Sequence, residues 1–176
     1  MRKLFSRTKA TVYYGPWQCT DLWVADCKKQ CAGQGYELRG CMWLADVKMD
    51  GEGHEPIWRL DFKAGGRYAV THCCCSYPKI STEETDQRRK KWNRHRSTFQ
   101  MQWEEAMGEW PTDPEGKPYD THHIRDLEDG GDPTARENLL PVPSSMHHKV
   151  LDREYPVCYG GQGRWAQIGI RRPYLD

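Results

Sequence analysis

The side chains best suited to chemistry lie in one stretch of the chain, from Tyr119 to Tyr155. This stretch holds four of the seven histidines, arranged as two adjacent pairs, His122-His123 and His147-His148. Cleavage of a phosphodiester near neutral pH requires a base that deprotonates water and a cation that absorbs charge on phosphorus and on the leaving oxygen. Histidine and a divalent metal ion supply these functions jointly, so the stretch predicts metal-assisted hydrolysis.

The spacing predicts different roles within each pair. Neighbouring residues of a strand point to opposite faces, so His122 and His123 cannot both turn to one metal ion. One of them can bind the metal while the other faces the attacking water. We expect a second ligand, His147, from a helix packed over the strands. Asn138 follows the Gly130-Gly131 turn, where an amide can hydrogen-bond the backbone across the loop and hold the base-bearing strand still.

The order of elements predicted for this stretch is strand, turn, strand, helix. The second strand is the apolar run 139–142, and the Ser144-Ser145 pair is expected to cap a helix over 146–155 that ends before Pro156. A final edge strand is predicted over 165–170.

The preceding part of the chain must support these elements. A short helix capped by Thr20 or Asp21 and ended by Gly33 is predicted first. From Tyr36 the sequence pattern changes to the period of two that is typical of strands. Three strands are predicted, over 36–48, 57–63 and 67–75, and the short turns between them indicate an antiparallel meander.

A long helix is predicted to bridge the meander and the histidine stretch. It begins after Ser81 or Thr82 and ends at Pro111, with Trp92, Phe99 and Trp103 at helical spacing. The fold class is therefore α+β. Residues 1–81 form a cysteine-rich portion, residues 82–176 contain the bridging helix and the histidine motif, and we expect both to fold as one unit of 176 residues.

The eight cysteines favour disulfides or plain buried thiols, because their number is even and large for a reduced domain, and the sequence predicts no particular pairing. A structural zinc site is the alternative, but no C-x-x-C motif occurs. Strand alternation places Cys73 and Cys75 on one face and Cys74 on the other, which disfavours a single tetrahedral site there.

Net charge is +1, so affinity for nucleic acid must come from local clusters. Residues 88–96 contain six Lys and Arg, and Arg88, Lys91 and Arg96 are candidates for phosphate contact; a solvated charged face is the simpler interpretation. No apolar run approaches the length of about 20 residues that spans a bilayer, and we expect no membrane partner.

The histidine pair, the glycine turn, the segment N-L-L-P-V-P and the histidine nine residues after Asn138 together resemble the His-Asn-His (HNH) nuclease motif. This motif is also called the His-Me finger or ββα-metal finger. The version resembled here is found in nuclease colicins and in C-terminal toxin domains of polymorphic, Rhs and type VI secretion effectors. The resemblance covers about residues 119–155.

The resemblance implies a role for each matching position. His122 is implied as the first metal ligand, His147 as the second, His123 as the general base and Asn138 as the orienting residue. Colicin-like members carry another histidine where this chain has Leu151, so the metal, Zn²⁺ or Mg²⁺, would be held by two histidines, water and substrate phosphate.

Three further residues of the stretch are candidates near this site. Asp152 is a candidate third ligand, and Arg125 and Arg153 are candidate phosphate contacts by nearness to the histidines.

The implied activity is that of a metal-dependent, low-specificity DNA endonuclease. The family further implies an antibacterial effector, delivered as part of a larger secreted polypeptide to the target-cell cytoplasm and neutralised by a cognate immunity protein. An RNase with the same motif is an alternative. A non-catalytic, cysteine-rich metal-binding interaction module is another.

Overall fold

The computed structural model describes residues 10–49, 63–64 and 67–147. Two antiparallel sheets and two long helices make up this part of the chain. The strands and helices, in chain order, are β1 Ala10–Gln18, α1 Asp21–Gly33, β2 Leu38–Met49, β3 Lys63–Ala64, β4 Arg67–Cys75, α2 Thr82–Met107, β5 Asp120–His123, β6 Leu139–Val142 and the single turn α3 Ser144–Met146. The α+β class and the antiparallel pairing are confirmed.

The strand order of the larger sheet differs from a simple meander. The order is β1-β2-β4-β3, so β4 lies between β2 and β3 rather than at the far edge. β4 pairs with β2 along nearly its whole length, from Cys75 opposite Leu38 to Arg67 opposite Lys48. The predicted meander is wrong in this respect, because β4 pairs its backbone groups with β2 in a long ladder. Residues 57–62 of the predicted middle strand lie outside the described residues.

The helix α1 begins and ends where its sequence signals predict. The Thr20 side chain caps it by accepting a hydrogen bond from the Trp23 backbone N–H at 3.2 Å. Its buried residues Trp23, Cys27 and Cys31 share one face at spacings of four. This face packs against β2 and β4.

Three disulfides connect α1 and the segment before it to the sheet. They join Cys19 to Cys41, Cys27 to Cys73, and Cys31 to Cys75. Cys73 and Cys75 therefore share a face, as strand alternation predicted. Among the described residues no cysteine is free, so the structure selects disulfides over buried thiols, and the zinc alternative is wrong for these six.

The long helix α2 carries the core between the two sheets. The Ser81 hydroxyl caps it by accepting from the Glu84 N–H at 3.1 Å, and Gly108, with φ of 102°, ends it three residues before Pro111. Trp92, Phe99 and Trp103 are buried along one face.

One hydrophobic cluster joins the N-terminal sheet, α2 and β6. Its most deeply buried members are Met42, Leu44, Ala45, Val47, Phe99, Leu139, Leu140 and Val142. Residues before and after position 82 thus contribute to the same buried cluster. The aromatic side chains of α2 supply a large part of its buried surface.

The start of α3 differs from prediction. Pro143 occupies the capping position and makes no side-chain cap hydrogen bond, while Ser144 lies inside the first turn and its hydroxyl accepts from the Lys117 ammonium at 2.9 Å. The predicted serine cap is therefore wrong. The predicted helix beyond His147, with Leu151, Asp152 and Arg153, and the predicted strand 165–170 lie outside the described residues.

No helix in the described part of the chain is both long enough and apolar enough to span a bilayer.

Candidate functional site

The strands β5 and β6 form a two-stranded antiparallel ladder that carries the first histidine pair. His122 lies opposite Leu140 and His123 opposite Leu139. All four residues of β6 are buried, which fixes the register of β5 against the core. Strand alternation then directs the two imidazoles to opposite faces of β5, as predicted.

The imidazole of His122 faces the imidazole of His147. Their ring centroids lie 5.7 Å apart, and only 4% of His122 is exposed. The Nε2 atom of His122 is closed to solvent and has no hydrogen-bond partner. Burial, followed by the neighbouring His72, His147 and His123, holds the pKa of His122 well below its usual value. The ring is therefore neutral near pH 7, which is the form that binds metal.

His147 is held by a carboxylate. Its Nδ1 atom lies 3.3 Å from Oδ2 of Asp120, the first residue of β5. A carboxylate on one ring nitrogen of a histidine sets the tautomer and leaves Nε2 as a ligand atom. His122 and His147 thus lie close enough for both imidazoles to approach one ion.

The metal implied by the resemblance fits this pair by the chemistry of its atoms. A buried, unpartnered imidazole nitrogen is a polar atom whose burial a metal ion would compensate. Two imidazoles favour Zn²⁺ or another transition ion over Mg²⁺, which prefers oxygen ligands. Within residues 10–49, 63–64 and 67–147, no group of three or more His, Cys, Asp or Glu is placed to hold a metal ion.

His123 lies on the other face of β5, against α2. Its ring meets Trp92 edge-on with centroids 5.0 Å apart, and its Nε2 atom lies 3.1 Å from the carbonyl oxygen of Pro133. Because a carbonyl only accepts, Nε2 carries the proton and Nδ1 is the basic nitrogen. Burial lowers the pKa of His123 and outweighs the hydrogen bond to Pro133; the nearby Arg89 lowers it further. The imidazole is therefore uncharged near pH 7 and can accept a proton at Nδ1.

Asn138 braces the loop between β5 and β6. Its Oδ1 accepts from the Arg125 backbone N–H at 2.7 Å, and its Nδ2 donates to the carbonyls of Arg125 at 3.1 Å and Asp132 at 2.9 Å. The loop also requires Gly131, where a Cβ would lie 1.9 Å from the Arg125 carbonyl oxygen. The predicted cross-loop role of Asn138 agrees with this geometry.

Replacing Asn138 with alanine should lower the free energy of unfolding by about 2 kcal/mol, because backbone groups in the loop lose their partners. Urea unfolding of the two proteins measures the change. Asn93→Ala serves as the matched control, since Asn93 is exposed on α2 and its only described hydrogen bond is from Arg96. Equal stability losses in the two variants would contradict the bracing role.

The candidate phosphate contacts separate into two groups. Arg96 lines the cavity beside His122, His123 and His147. Arg88 instead donates to the carbonyl oxygens of Gly130 at 3.4 Å and Gly131 at 2.9 Å, which ties α2 to the glycine turn.

The other two candidates do not line the histidine cavity. Arg125 stacks over the Tyr77 ring at 3.8 Å and donates to the Asp129 carbonyl. Lys91 is exposed, and its charge adds to the hydrogen bond from the Thr134 backbone that lowers the pKa of Asp132. Arg88 and Arg125 are thus engaged in structural contacts.

Sequence reasoning missed Arg89, which lines the cavity together with Arg96. A usable signal was present in the spacing. Arg89 and Arg96 lie three residues before and four residues after the buried Trp92, so they border the buried face of α2. Helical spacing placed Arg88, Lys91 and Arg96 near one side of α2 and did not single out Arg89.

Sequence reasoning also missed the position of His72, on β4. Its ring lies 6.1 Å from that of His122, and its Nδ1 atom is closed to solvent and without a hydrogen-bond partner. Burial lowers the pKa of His72 to about 4, despite a hydrogen bond to the backbone of Ile124 and the charge of Asp129.

This shift predicts acid destabilisation of the metal-free protein. Between pH 6.5 and about 4 the unfolded chain binds a proton at position 72 that the folded chain does not, so stability is complete above this window and falls as pH drops through it. Urea unfolding with chelator should show a loss of about 2 kcal/mol from pH 7.5 to pH 5 from this group alone. His72→Gln, which does not titrate, should reduce the pH dependence by that amount; an unchanged pH dependence would contradict the assignment.

Two cavities meet at the histidines and form one groove between α2 and β5. The first, of about 340 Å³, contains the histidine cluster, Arg89 and the acidic residues Asp126 and Glu128. The second, of about 470 Å³, extends along β5 toward Trp110. Residues common to both are Trp92, Arg96, Thr121 and His147. An extended ligand can therefore occupy both cavities while contacting the histidines.

Comparison of the chain with models of protein families, with curated proteins and with solved structures gave no match. The functional conclusion therefore depends on the residues and geometry of the groove.

Proposed function

We propose that this protein is a metal-dependent nuclease of the HNH type that hydrolyses phosphodiester bonds of DNA with low sequence specificity. The proposal is supported by the different surroundings of the two neighbouring histidines of β5. His122, with its unpartnered Nε2, lies beside His147, and the neutral His123 lines the same cavity. Asn138 holds the loop that connects β5 to β6.

The roles of the residues follow from their atoms. A divalent ion held by His122 and His147 would stabilise the negative charge that develops on the phosphate and the leaving oxygen. His123 accepts the proton of the attacking water at Nδ1, since Nε2 is bound to the Pro133 carbonyl. Asp120 keeps the His147 ring in place through Nδ1.

Arg89 and Arg96 supply the positive charge along the groove. Contacts from arginine to phosphate position a nucleic acid without reading its bases, which supports low sequence specificity. Arg96 also lies 6.0 Å from the ring centroid of Trp92 and donates to Asn93, so its guanidinium is oriented before a substrate binds.

Purified protein should nick supercoiled plasmid in the presence of a divalent ion, and excess chelator should stop the reaction. Plasmid, single-stranded DNA and total RNA, tested side by side, separate a DNase from an RNase. Metal binding without cleavage of any of the three would refute the nuclease and favour the non-catalytic metal-binding module.

The two groove arginines should determine the salt dependence of binding. Each phosphate neutralised contributes about 0.7 to 0.9 to the slope of log affinity against log salt, so Arg89→Ala with Arg96→Ala should reduce the slope by up to about 2. Fluorescence anisotropy with labelled DNA at several salt concentrations measures it. The matched control is Lys90→Ala with Arg94→Ala, two exposed charges of α2 that do not line the groove. The same slope in both double variants would remove the arginines from the binding surface.

As part of the proposal, the chain acts as an antibacterial toxin domain carried by a larger secreted polypeptide into the cytoplasm of a target cell. The three disulfides support passage through an oxidising space, where such bonds form and persist. An immunity protein that covers the groove would need acidic groups opposite Arg89 and Arg96.

A further inference from the structure

The cavity that extends from the histidines toward Trp110 has a wall of aromatic rings. Trp110, Tyr119 and Pro118 line it, and Gln100 contributes a polar side chain. We propose that this cavity is a subsite for an unpaired nucleobase adjacent to the phosphate that is cleaved. This inference rests on the proposed nuclease function and specifies its substrate, which would be single-stranded or locally unpaired nucleic acid.

The ring wall is fixed before any ligand binds. Trp110 donates from Nε1 to the Tyr119 carbonyl at 3.2 Å, and its ring packs edge-on against Phe99 and Trp103 with centroids 6.0 Å away in both cases. The Tyr119 ring packs edge-on against Tyr14 at 5.3 Å. A base that stacks here does not have to order the rings, and aromatic stacking accepts any base because every base has a π-face.

Polar groups are placed where a nucleotide would need them. Arg96 lies on the wall shared with the histidine cavity, in position for the phosphate that connects the two cavities. Gln100 is exposed one helical turn further along α2, and its amide offers both a donor and an acceptor to a base edge. A nucleotide could therefore place its phosphate in the histidine cavity and its base in the neighbouring cavity lined by the aromatic rings.

A base within a duplex does not fit this arrangement. The two faces of a stacked base are covered by its neighbours, and its pairing edge is occupied by the opposite strand. A cavity of about 470 Å³ is of the size that holds one small ligand, so it admits one nucleotide rather than a stacked base pair. Enzymes that place a single base in a pocket act on single strands or remove the base from the stack.

The test uses the full chain with His123→Ala, so that binding is measured without cleavage. Three labelled DNAs are compared by fluorescence anisotropy at one salt concentration: a short single strand, the same strand in a duplex, and the same strand with one abasic position. The single strand should bind more tightly than the duplex, and the abasic position should weaken binding. Tyr119→Ala should weaken binding of the intact strand by about 5- to 150-fold, the range for loss of one stacked base.

Tyr119→Phe, which keeps the ring, should bind as before, and Tyr13→Ala provides a matched loss of a 40% exposed tyrosine outside the groove. Gln100→Ala, at an exposed helix position, should weaken binding by about 2- to 10-fold, whereas Gln87→Ala, also at an exposed position of α2, should not. Equal binding of single strand and duplex, or no effect of both Tyr119→Ala and Gln100→Ala, would overturn the subsite. If the subsite is overturned in this way but the wild-type protein still cuts plasmid, the proposed nuclease function stands. Absence of both nucleic-acid binding and cutting refutes both proposals.

Discussion

Replacing His123 with alanine should lower the rate of plasmid cleavage by about 100- to 10,000-fold, the usual contribution of a general base. In the neutral imidazole of His123, Nε2 donates its hydrogen bond to the Pro133 carbonyl, which leaves Nδ1 as the basic nitrogen. The variant loses the group that accepts the proton from water. Initial rates of nicking, measured with saturating metal, give the size of the effect.

The controls for this variant separate catalysis from folding and metal binding. Since His123→Ala leaves both proposed ligands His122 and His147 unchanged, the variant should still bind a divalent ion, as measured by the metal content of the dialysed protein. His95→Ala removes a histidine of α2 that does not line the histidine cavity and should cleave at the wild-type rate. Cleavage that survives His123→Ala would rule out this residue as the base.

The positions of the two long helices could be predicted from sequence because their signals are local. Thr20 and Ser81 both accept the capping hydrogen bond expected of them. Trp92 and Phe99 repeat on the buried face of α2, so the period of the pattern alone identifies what the helix buries. The opposite directions of His122 and His123 followed in the same way from the period of a strand.

Features that depend on contacts between distant segments could not be predicted in this way. The placement of β4 between β2 and β3 is decided by the extent of pairing, which no local pattern encodes. The approach of His72 to His122 joins residues 50 positions apart in different sheets. Arg88 was a phosphate candidate by charge, yet its guanidinium serves the carbonyls of the glycine turn, a partner that only the packing of α2 brings near.

Removing the Cys27–Cys73 disulfide, by replacing both residues with alanine, should lower the free energy of unfolding by about 4 kcal/mol. The bond connects residues 46 positions apart, and a closed loop of this length removes much of the conformational freedom of the unfolded chain. Cys19–Cys41 spans 22 positions and should cost about 3 kcal/mol. Urea unfolding of the two double variants measures the difference, and a larger loss from the shorter loop would contradict the entropic explanation.

Full reduction should have a larger effect than either variant. The three described disulfides together contribute about as much as the 5 to 15 kcal/mol of a typical domain, so equilibrium in strong reductant should favour the unfolded chain, with loss of cleavage. Cys27 and Cys31 are fully buried, which shields their bonds from attacking thiolates. Reduction of the native protein should therefore be slow. Cleavage activity should be lost much more slowly in glutathione alone than in glutathione with denaturant, which exposes the buried bonds. Such a delay would give a toxin folded in an oxidising space a period of activity in a reducing cytoplasm; immediate loss of cleavage in glutathione would exclude that route.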